Sequence, residues 1–406
     1  MTTGHPPLVL IEPYAHHLGG HHPRTLAALA AARPGALVIT PYGAADPAPL
    51  RQAGARLVTG TRGPAAAVLL VAAQWANAVS TAVRKAFASR RWPLALRRAP
   101  HQVTLLARCL TEAACLRTTR RLVREPAAVV VLSASEALHG AAALLGCQPH
   151  LRFIHEAVTT EDAPVRLLGH LARRGERQVV ALYPTAAVRE QFAGAFPGLA
   201  GVARAFAVDD GHRLTDAERD GARTTFGTPD GATVVCLVGG WWPYKDIATV
   251  DAALARLTSP MHLVVTGTPL DEEVLARWHE LPQVHLHTVP GPVGEQVLRL
   301  VYAAADAALV ARRPGVGKES GLVMDTARLG VPLLLSGYDP DLTARLTGQP
   351  WARLFPVGDP GTLDALAAGL PPRPGPGSPA VLGMATAAEQ AAFLTTTYAR
   401  LLEALR

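Results

Sequence analysis

The feature that most constrains this chain is a series of short apolar runs that alternate with helical stretches, and the series occurs twice. In the first half the strand candidates are Leu8 to Glu12, Ala36 to Thr40, Ala55 to Thr59, Ala127 to Leu132, Leu151 to His155 and Gln178 to Tyr183. In the second half they are Thr233 to Val238, Met261 to Thr266, Val284 to Thr288, Ala307 to Ala311, Pro332 to Leu335 and Arg353 to Pro356. This alternation is typical of α/β proteins with largely parallel sheets.

The length of 406 residues is sufficient for two domains, each with its own core. The long segment from Pro64 to Arg124 reads as two or three helices that cover one side of the first sheet. The predicted order is an N-terminal α/β domain over 1–208, a polar linker with one short helix over 209–230, a second α/β domain over 231–385 and a C-terminal helix over 386–406. Thr386 is a plausible N-cap for the last helix, which could cross back to the N-terminal domain.

The bulk composition favours a folded, cytoplasmic protein. Hydrophobic residues make up 49% and charged residues 17%, which suits a globular rather than a disordered chain. The four cysteines lack metal-type spacing, so free thiols in a reducing cytoplasm are expected. The start, Met1 to Leu8, does not resemble a signal peptide, and the most apolar stretch, Ala65 to Ala73, is too short to span a bilayer. The alanine and arginine bias suggests a bacterium with GC-rich DNA.

The net charge of +7 weakly favours acidic ligands. The basic residues concentrate between Arg84 and Arg124. This stretch has no recognised nucleic-acid-binding motif and few aromatic residues, so nucleic acid is not expected as a partner. A solvated helix face is the default interpretation. Peripheral contact of this region with a membrane, or with an anionic acceptor, is the alternative.

Two of the three lysines lie in glycine-rich loops that follow apolar runs. Lys245 belongs to the loop Gly239 to Asp246, and Lys318 to the loop Pro314 to Gly321. A strand, a glycine-rich turn with a cation and a helix is a common way to hold a phosphate group. The two loops predict a nucleotide or diphosphate site in the second half, although neither matches an ATPase or dinucleotide-binding signature. A solvated lysine is the alternative in each case.

Ligands of doubly wound folds bind at the carboxyl ends of the strands. Four loops follow predicted strands and should converge on one cleft: Leu18 to His22, His155-Glu156, Gly239 to Lys245 and Gly315 to Gly321.

Three blocks of the second half resemble the nucleotide-binding half of GT-B glycosyltransferases, in particular the large retaining family 4. In order between Thr233 and Leu370 they are VVCLVGGWWPYKDIATVDAAL, KESGLVMDTARLGVPLLLS and LFPVGDPGTLDALAAGL. In the first half the resemblance rests on Leu18-Gly19-Gly20-His21 and on RFIHEA, Arg152 to Ala157. It implies the GT-B fold, in which two doubly wound, Rossmann-like domains face each other across a cleft.

The resemblance also implies a donor site, formed by Gly239, Gly240, Lys245, Gly317, Lys318, Ser320, Gly321, Leu322 and Asp325. Lys245 stands in the place of the family's lysine that contacts the donor diphosphate. The amides that begin the next helix would point at the same group. If Gly330 matches the family's glycine, Asp325 stands at the position of the family's carboxylate that holds the nucleotide ribose. A carboxylate suits this role, since it can accept two hydroxyl hydrogen bonds.

The chain departs from the family at two charged positions of this site. The family's arginine falls on Gly240, and its substitute would be Arg312, Arg313 or Lys318. The family's earlier glutamate falls on Gly317, which leaves Glu319, two residues away, as the candidate.

On the acceptor side the resemblance implies Gly19, Gly20, His21 and Glu156, with His155 beside the transferred sugar. A packed histidine and a plain tight turn are the alternatives. The histidines His16, His17, His21 and His22 look like a metal cluster by composition, but no carboxylate or cysteine lies at ligand spacing. The resemblance implies neither a metal nor another cofactor. Trp241 or Trp242 could stack on an acceptor ring or pack between the domains.

The sequence thus predicts a hexosyltransferase-type glycosyltransferase with His155, Lys245 and Glu319 as catalytic residues. It would move a sugar, with retention, from a UDP-sugar or GDP-sugar to a hydroxyl of a small molecule, glycolipid or glycan. The setting would be bacterial natural-product or glycan biosynthesis. A nucleotide-sugar epimerase on the same fold, or a non-catalytic nucleotide-sugar-binding relative, are the alternatives. The sequence leaves the base, sugar, acceptor and oligomeric state open.

Overall fold

The structure is a computed structural model of the 406-residue chain. It describes residues 7–17, 22–87, 94–135, 137–154, 173–205, 213–314, 320–360 and 369–406. The chain divides into two compact units. The first consists of Met1–His17, His21–Val208 and Thr386–Arg406, and the second of Leu18–Gly20 and Asp209–Ala385.

The first unit contains a seven-stranded parallel sheet with the strand order β3-β2-β1-β4-β5-β6-β7. Its strands are β1 (Leu8–Ile11), β2 (Leu37–Thr40), β3 (Arg56–Thr59), β4 (Ala128–Val131), β5 (His150–Phe153), β6 (Val179–Tyr183) and β7 (Ala200–Ala203). The strands β1, β2, β4, β5 and β6 are buried along their whole length. Strands covered on both faces read as continuous apolar runs, which is why the sequence predicts them.

The edge strand β7 is missing from the sequence prediction. Its residues, Ala-Gly-Val-Ala, are mostly small and lie at exposed or half-buried positions, so they lack the run of large buried side chains that marks the other strands. It pairs with β6 in parallel register, with Leu182 opposite Val202.

Helices flank this sheet: α1 (His22–Ala32), α2 (Ala48–Gln52), α3 (Pro64–Ala86), α4 (Leu94–Leu122), α5 (His139–Gly146) and α6 (Ala186–Ala195). The long helix α4 places Leu105, Cys109 and Leu116 in the core of the unit. The helix α3 packs along α4 through a buried seam of Ala66, Ala73 and Ser80, which lie seven residues apart. It contributes no described residue to that core.

Among the described residues, α3 is long and apolar enough to cross a membrane by length and composition alone, and 22% of its most apolar stretch is buried in the protein. The expectation that the most apolar stretch is too short to span a bilayer is therefore wrong. The reason is that Gln74 and Asn77 do not end the helix, which continues to Ala86.

The second unit contains a six-stranded parallel sheet with the order β10-β9-β8-β11-β12-β13. Its strands are β8 (Val234–Val238), β9 (Met261–Gly267), β10 (Val284–Pro290), β11 (Ala307–Val310), β12 (Leu333–Ser336) and β13 (Ala352–Phe355). This is the doubly wound order of a dinucleotide-binding domain, with the switch point between β8 and β11. The predicted α/β fold class with two doubly wound sheets is confirmed.

The helices of the second unit are α7 (Asp216–Thr225), α8 (Ile247–Leu254), α9 (Glu272–His279), α10 (Glu295–Ala304), α11 (Gly321–Leu329), α12 (Pro340–Leu346) and α13 (Ser378–Val381). The helix α7 lies in the segment that the sequence assigns to a linker. It packs on α10 through Ala222, and Arg219 forms an ion pair with Asp306. This helix thus belongs to the second unit.

The last helix, α14 (Ala387–Ala404), packs on the first unit. Thr386 and Glu389 form a capping box at its start. The Tyr398 hydroxyl accepts a hydrogen bond of 3.0 Å from the side-chain amide of Gln148, and Arg204 donates one of 2.7 Å to Gln390.

Candidate functional site

The loops after β8 and β11 are hydrogen-bonded to each other at the switch point of the second sheet. Lys245 and Arg312 form an isolated antiparallel bridge. The amide of Arg313 donates to the carbonyl of Tyr244 at 2.9 Å, and the amide of Asp246 donates to the carbonyl of Ala311 at 3.1 Å. Ligands of doubly wound domains bind at this edge. The bridge therefore places two cationic residues at the expected ligand site.

The side chain of Lys245 is 4% exposed and points back toward the end of β8. Its Nζ donates a hydrogen bond of 2.8 Å to the carbonyl of Val238. Burial, and secondarily the nearby charge of Arg312, lower the pKa of Lys245 to about 7. Burial therefore disfavours the charged form of Lys245.

Arg312 lies between two tyrosine rings. Its guanidinium carbon is 5.3 Å from the ring centre of Tyr244 and 5.2 Å from that of Tyr338. Its Nη1 contacts the Tyr338 hydroxyl at 3.4 Å, and its amide donates to the Ser336 hydroxyl at 2.8 Å. These contacts fix a buried cation beside Lys245, a partnership that the sequence did not show. Arg313, the other described candidate for the missing family arginine, is exposed.

Gly239 and Gly240 form the turn that follows β8. Gly239 has a φ of +89°, a conformation that glycine adopts without strain. A Cβ on Gly240 would collide with the backbone of Thr268, and one on Gly267 would collide with the backbone of Gly239 and Gly240. The loops after β8 and β9 thus meet backbone to backbone. This explains why a glycine stands where the resembling family has an arginine.

The start of α11 completes this edge of the sheet. The Ser320 hydroxyl caps the helix by accepting a bond of 3.4 Å from the amide of Val323. Leu322, in the first turn, comes within 3.9 Å of the Cβ position on Gly239, and the Lys245 Nζ comes within 3.6 Å of it. The structure therefore brings Gly239, Lys245 and the first turn of α11 together. The first amides of a helix have no partner within it and attract anions.

Asp325 lies one turn further along α11 and is buried. Its Oδ1 accepts from Arg328 Nη2 at 3.3 Å, and the same nitrogen lies 3.5 Å from Glu295. The predicted ribose-binding carboxylate is therefore held by an arginine of its own helix.

The two tryptophans of the loop after β8 have different environments. Trp241 packs on Trp278, with ring centres 5.1 Å apart, at the edge of the core of the second unit. Trp242 is 50% exposed. Trp241 is half-buried, so Trp242 is the more exposed of the two.

Eight predicted site residues lie outside the described residues: Gly19, Gly20, His21, His155, Glu156, Gly317, Lys318 and Glu319. Their roles remain predictions. Within the described part of the chain, no group of three or more histidine, cysteine, aspartate or glutamate side chains could hold a metal ion.

The first unit has a buried carboxyl group at its own switch point, between β1 and β4. Glu12 follows β1, and its two oxygens accept from the Ser133 hydroxyl at 2.7 Å and from the Tyr14 amide at 2.9 Å. Burial raises the pKa of Glu12 to about 7, although these two hydrogen bonds act against the shift. In the sequence Glu12 stands only as the end of a predicted strand, although a glutamate that ends an apolar run is a detectable signal.

A second buried network holds the strand that leads toward His155. Arg152 of β5 forms an ion pair of 2.8 Å with Glu112, and both side chains are inaccessible to solvent. Arg152 also donates to the carbonyl of Ser135 at 2.9 Å and contacts His150 Nε2 at 3.2 Å. Because arginine can only donate, His150 Nε2 accepts, and its Nδ1 donates to the carbonyl of Gln148 at 3.1 Å. The loop after β4 is thus tied to β5.

No protein-family model matches the sequence, and no curated protein matches it. Solved structures share its architecture. HepE of Anabaena, crystallised with UDP and glucose, is 14% identical, with a TM-score of 0.57 over 98% of this chain and 98% of that one. A UDP-forming α,α-trehalose-phosphate synthase of Burkholderia xenovorans, crystallised with glucose-6-phosphate, is 12% identical, with a TM-score of 0.63 over 98% of this chain and 100% of that one. The chain has the GT-B fold.

A glycosyltransferase of Rickettsia africae gives the same result at 10% identity, with a TM-score of 0.55 over 97% of this chain and 94% of that one. The likeness to GT-B glycosyltransferases that the sequence blocks indicate is thereby confirmed for the fold. At these identities the comparison shows the fold of the chain.

Proposed function

We propose that this protein is a glycosyltransferase that moves a sugar from a nucleotide-diphosphate sugar to an acceptor hydroxyl. The carrying observation is the buried Lys245, which lies at the switch point of a GT-B nucleotide-binding unit next to the first turn of α11. An anion bound at this edge would stabilise the charged form of this buried lysine, which donates a hydrogen bond to a backbone carbonyl. A donor diphosphate is the anion that the fold accommodates there.

The proposed role of Lys245 is to meet the negative charge of the diphosphate as it leaves. The charged form of Lys245 is disfavoured by burial, so binding of a diphosphate would draw a proton onto Nζ. The cation would then be in place before the glycosidic bond breaks, without reorganisation of water. Amides of the first turn of α11, at Gly321 and Leu322, would contribute oriented dipoles to the same group.

Arg312 is the proposed substitute for the family's missing arginine. It is bridged to Lys245 and its guanidinium is fixed between two tyrosines, whereas Arg313 is exposed. We expect Arg312→Ala to weaken donor binding by about tenfold or more, as the loss of one charge-assisted contact would. Arg313→Ala is the matched control and should leave donor affinity nearly unchanged. Equal donor affinity for wild type and Arg312→Ala would refute this role.

The donor proposed is a UDP-sugar, because HepE, which shares the fold, is crystallised with UDP and with UDP-glucose. Asp325 would hold the ribose through its carboxylate. Retention of configuration, with the leaving phosphate as base, rests on the family resemblance, as do the absence of a metal and the roles of His155 and Glu319. The proposed setting is the bacterial cytoplasm, where the acceptor would be a small molecule, a glycolipid or a glycan.

A thermal-shift and calorimetric screen of UDP, GDP and their sugars tests the donor site. Binding stabilises the fold by mass action, so the correct nucleotide should raise the Tm. Lys245→Ala should lose most of this shift and lower turnover by about 10²-fold or more, whereas Lys85→Ala should behave as wild type. Absence of any shift in the wild-type protein would refute the assignment of the donor site.

Assays of turnover with and without an acceptor distinguish glycosyl transfer from the other activities that this fold could support. Incubation with the donor alone would reveal an epimerase, because epimerisation needs no acceptor. Tight donor binding without turnover on any acceptor would indicate a binding protein. NMR of the glycoside formed from donor and acceptor would establish the anomeric configuration and thus test retention.

A further inference from the structure

The face of α3 opposite the α4 seam exposes a row of large apolar side chains. Trp75 is 70% exposed and Val68 is 67% exposed, and Val71 and Val79 are about half exposed. These four residues are spaced three or four apart, so they line one face of the helix. We call Val68, Val71, Trp75 and Val79 the outer face of α3. Contiguous exposed apolar patches of this kind mark interaction surfaces.

Contacts at both ends hold α3 flat against α4. Near its start, the amide of Arg62 donates to the Thr118 hydroxyl at 3.0 Å. Near its end, the Ser80 hydroxyl donates to the carbonyl of Pro100 at 2.7 Å. Because α4 is itself packed into the core, α3 forms an outer layer of the first unit. The helix therefore lies along the surface of that unit with its outer face turned away from it.

The sequence that forms α3 and α4 is strongly basic. Segment 64–122 contains ten of the 39 lysine and arginine residues and one of the 32 acidic residues, which gives it a net charge of +9. Since the whole chain has a net charge of +7, the remainder carries −2. The single acid, Glu112, is buried in its ion pair with Arg152. Arg84 and Lys85 are exposed in the last turn of α3.

We propose that the outer face of α3 docks on the surface of an anionic lipid bilayer, with the helix lying in the plane of the membrane. Valine and tryptophan side chains would enter the headgroup region, and Arg84 and Lys85 at the end of the helix would contact lipid phosphates. An acidic protein partner would match the charge but leave the apolar row unused. A second copy of the chain would bring two such cationic surfaces together.

The outer face of α3 and the exposed residues Arg84 and Lys85 define a smaller docking surface than the region that the sequence indicated. The sequence pointed to the region Arg84 to Arg124, most of which belongs to α4. On the structure, α4 directs Leu105 and Leu116 into the core, and α3 presents the apolar face. The proposal does not depend on transferase activity, because membrane binding can be measured without a donor.

Co-sedimentation of the full-length protein with lipid vesicles tests the proposal. The probes are vesicles of phosphatidylcholine alone and of phosphatidylcholine with about one third phosphatidylglycerol. We expect binding to the anionic vesicles, weakened by salt, and little binding to the neutral ones. Trp75→Glu should reduce binding by about tenfold or more, whereas Leu405→Glu, at an exposed leucine just after the last helix, should not.

A charge-matched pair of double variants distinguishes binding through the outer face of α3 from non-specific electrostatic attraction to the vesicle. Arg84→Gln with Lys85→Gln should reduce binding to anionic vesicles more than Arg400→Gln with Arg406→Gln, which removes the same charge from the C-terminal end of the chain. The Tm of each variant verifies that it is folded. Equal losses for the two charge pairs, or no binding of the wild type to anionic vesicles, would overturn the proposal. So would a dimer of the wild type that Trp75→Glu dissociates, because the outer face would then be a contact between copies.

Discussion

The ammonium group of Lys245 donates a hydrogen bond of 2.8 Å to the backbone carbonyl of Val238, the last residue of β8. This bond keeps Nζ at the carboxyl end of the strand, where burial lowers the pKa of Lys245 to about 7. A group of this kind responds both to pH and to the arrival of an anion. The pH dependence of donor binding should therefore report on the protonation of Lys245.

The affinity for UDP-glucose should depend on pH through Lys245. The diphosphate favours the ammonium form, so binding raises the pKa of Lys245 and takes up a proton when the pH exceeds 7. Affinity should consequently be highest below pH 7 and fall as the pH rises above it, by up to about tenfold per pH unit. UDP-glucose is the suitable ligand because its diphosphate has no group that titrates near neutral pH.

Calorimetry at about pH 8, in buffers of different ionisation enthalpy, measures the proton uptake directly. Close to one proton per bound ligand is expected. Lys245→Arg is the matched control, because arginine stays protonated throughout this range and should show neither proton uptake nor the pH slope. A wild-type affinity that does not change with pH would contradict the role of Lys245.

An arginine at position 240, where the resembling family has one, should destabilise the fold rather than strengthen donor binding. Any side chain at Gly240 collides with the backbone of Thr268 in the loop after β9. Gly240→Arg should therefore lower the free energy of unfolding by at least about 2 kcal/mol, measured by urea denaturation.

Gly221→Ala provides the control for glycine replacement in the same unit. Nothing lies within 4 Å of a Cβ on Gly221, which is in the helix α7. This change should raise the free energy of unfolding by about 0.5–1 kcal/mol through helix propensity. If Gly240→Arg instead kept its stability and bound the donor more tightly, the close approach of the two loops would be disproved.

The fold was predictable because buried parallel strands leave a strong pattern. A run such as Val234–Val238 is apolar at every position, since both faces of its sheet are covered. The strand Ala200–Ala203 at the sheet edge is short, consists mostly of small residues and is not buried, so it lacks this signal and escaped detection. The extent of α3 was also misjudged, because two polar side chains within it do not interrupt a helix that solvent reaches on one side.

The candidate site was predictable only in part. A glycine turn and Lys245 after an apolar run point to the switch point, because strand order is implied by the α/β alternation. The sequence could not show that Arg312 is bridged to Lys245, or that Glu112 and Arg152 meet, since these pairs are separated by 67 and 40 positions. Contacts of this kind depend on register and packing, which a single sequence does not encode locally.

Breaking the buried ion pair of Glu112 and Arg152 should be strongly destabilising. Burial raises the pKa of Glu112, and the Arg152 charge opposes that shift. Arg152→Met would leave the carboxyl group without its main partner, so the free energy of unfolding should fall by about 3–5 kcal/mol. The double variant Glu112→Gln with Arg152→Met should lose less than the sum of the two single losses.

The exposed pair of Arg277 and Asp251 is the comparison for this prediction. Its N–O distance is 3.1 Å, but the side chains are 53% and 35% exposed. Arg277→Met should cost less than about 1 kcal/mol, since solvent screens such pairs. Similar losses for Arg277→Met and Arg152→Met in urea denaturation would show that the burial of the second pair has no energetic consequence.

Glu12 should make the stability of the protein fall as the pH rises from acid to neutral. Its pKa is near 4.5 when unfolded and about 7 when folded, because burial disfavours the charged carboxylate. The stabilisation of the protonated form is fully present below pH 4.5 and is lost as the pH rises through 7. The loss should reach about 3 kcal/mol, at about 1.4 kcal/mol per pH unit.

The variant Glu12→Gln isolates this effect, since glutamine keeps a similar shape, accepts a hydrogen bond and does not titrate. The measurement is the free energy of unfolding of wild type and variant, from urea denaturation across this pH range. The free energy of unfolding of the variant, relative to that of the wild type, should increase as the pH rises from 4.5. The difference should become constant above about pH 7.5, because Glu12 is then ionised in both the folded and the unfolded protein. A difference that stays constant over the whole range would show that the folded-state pKa of Glu12 is not raised, and that water or a cation compensates its charge between β1 and β4.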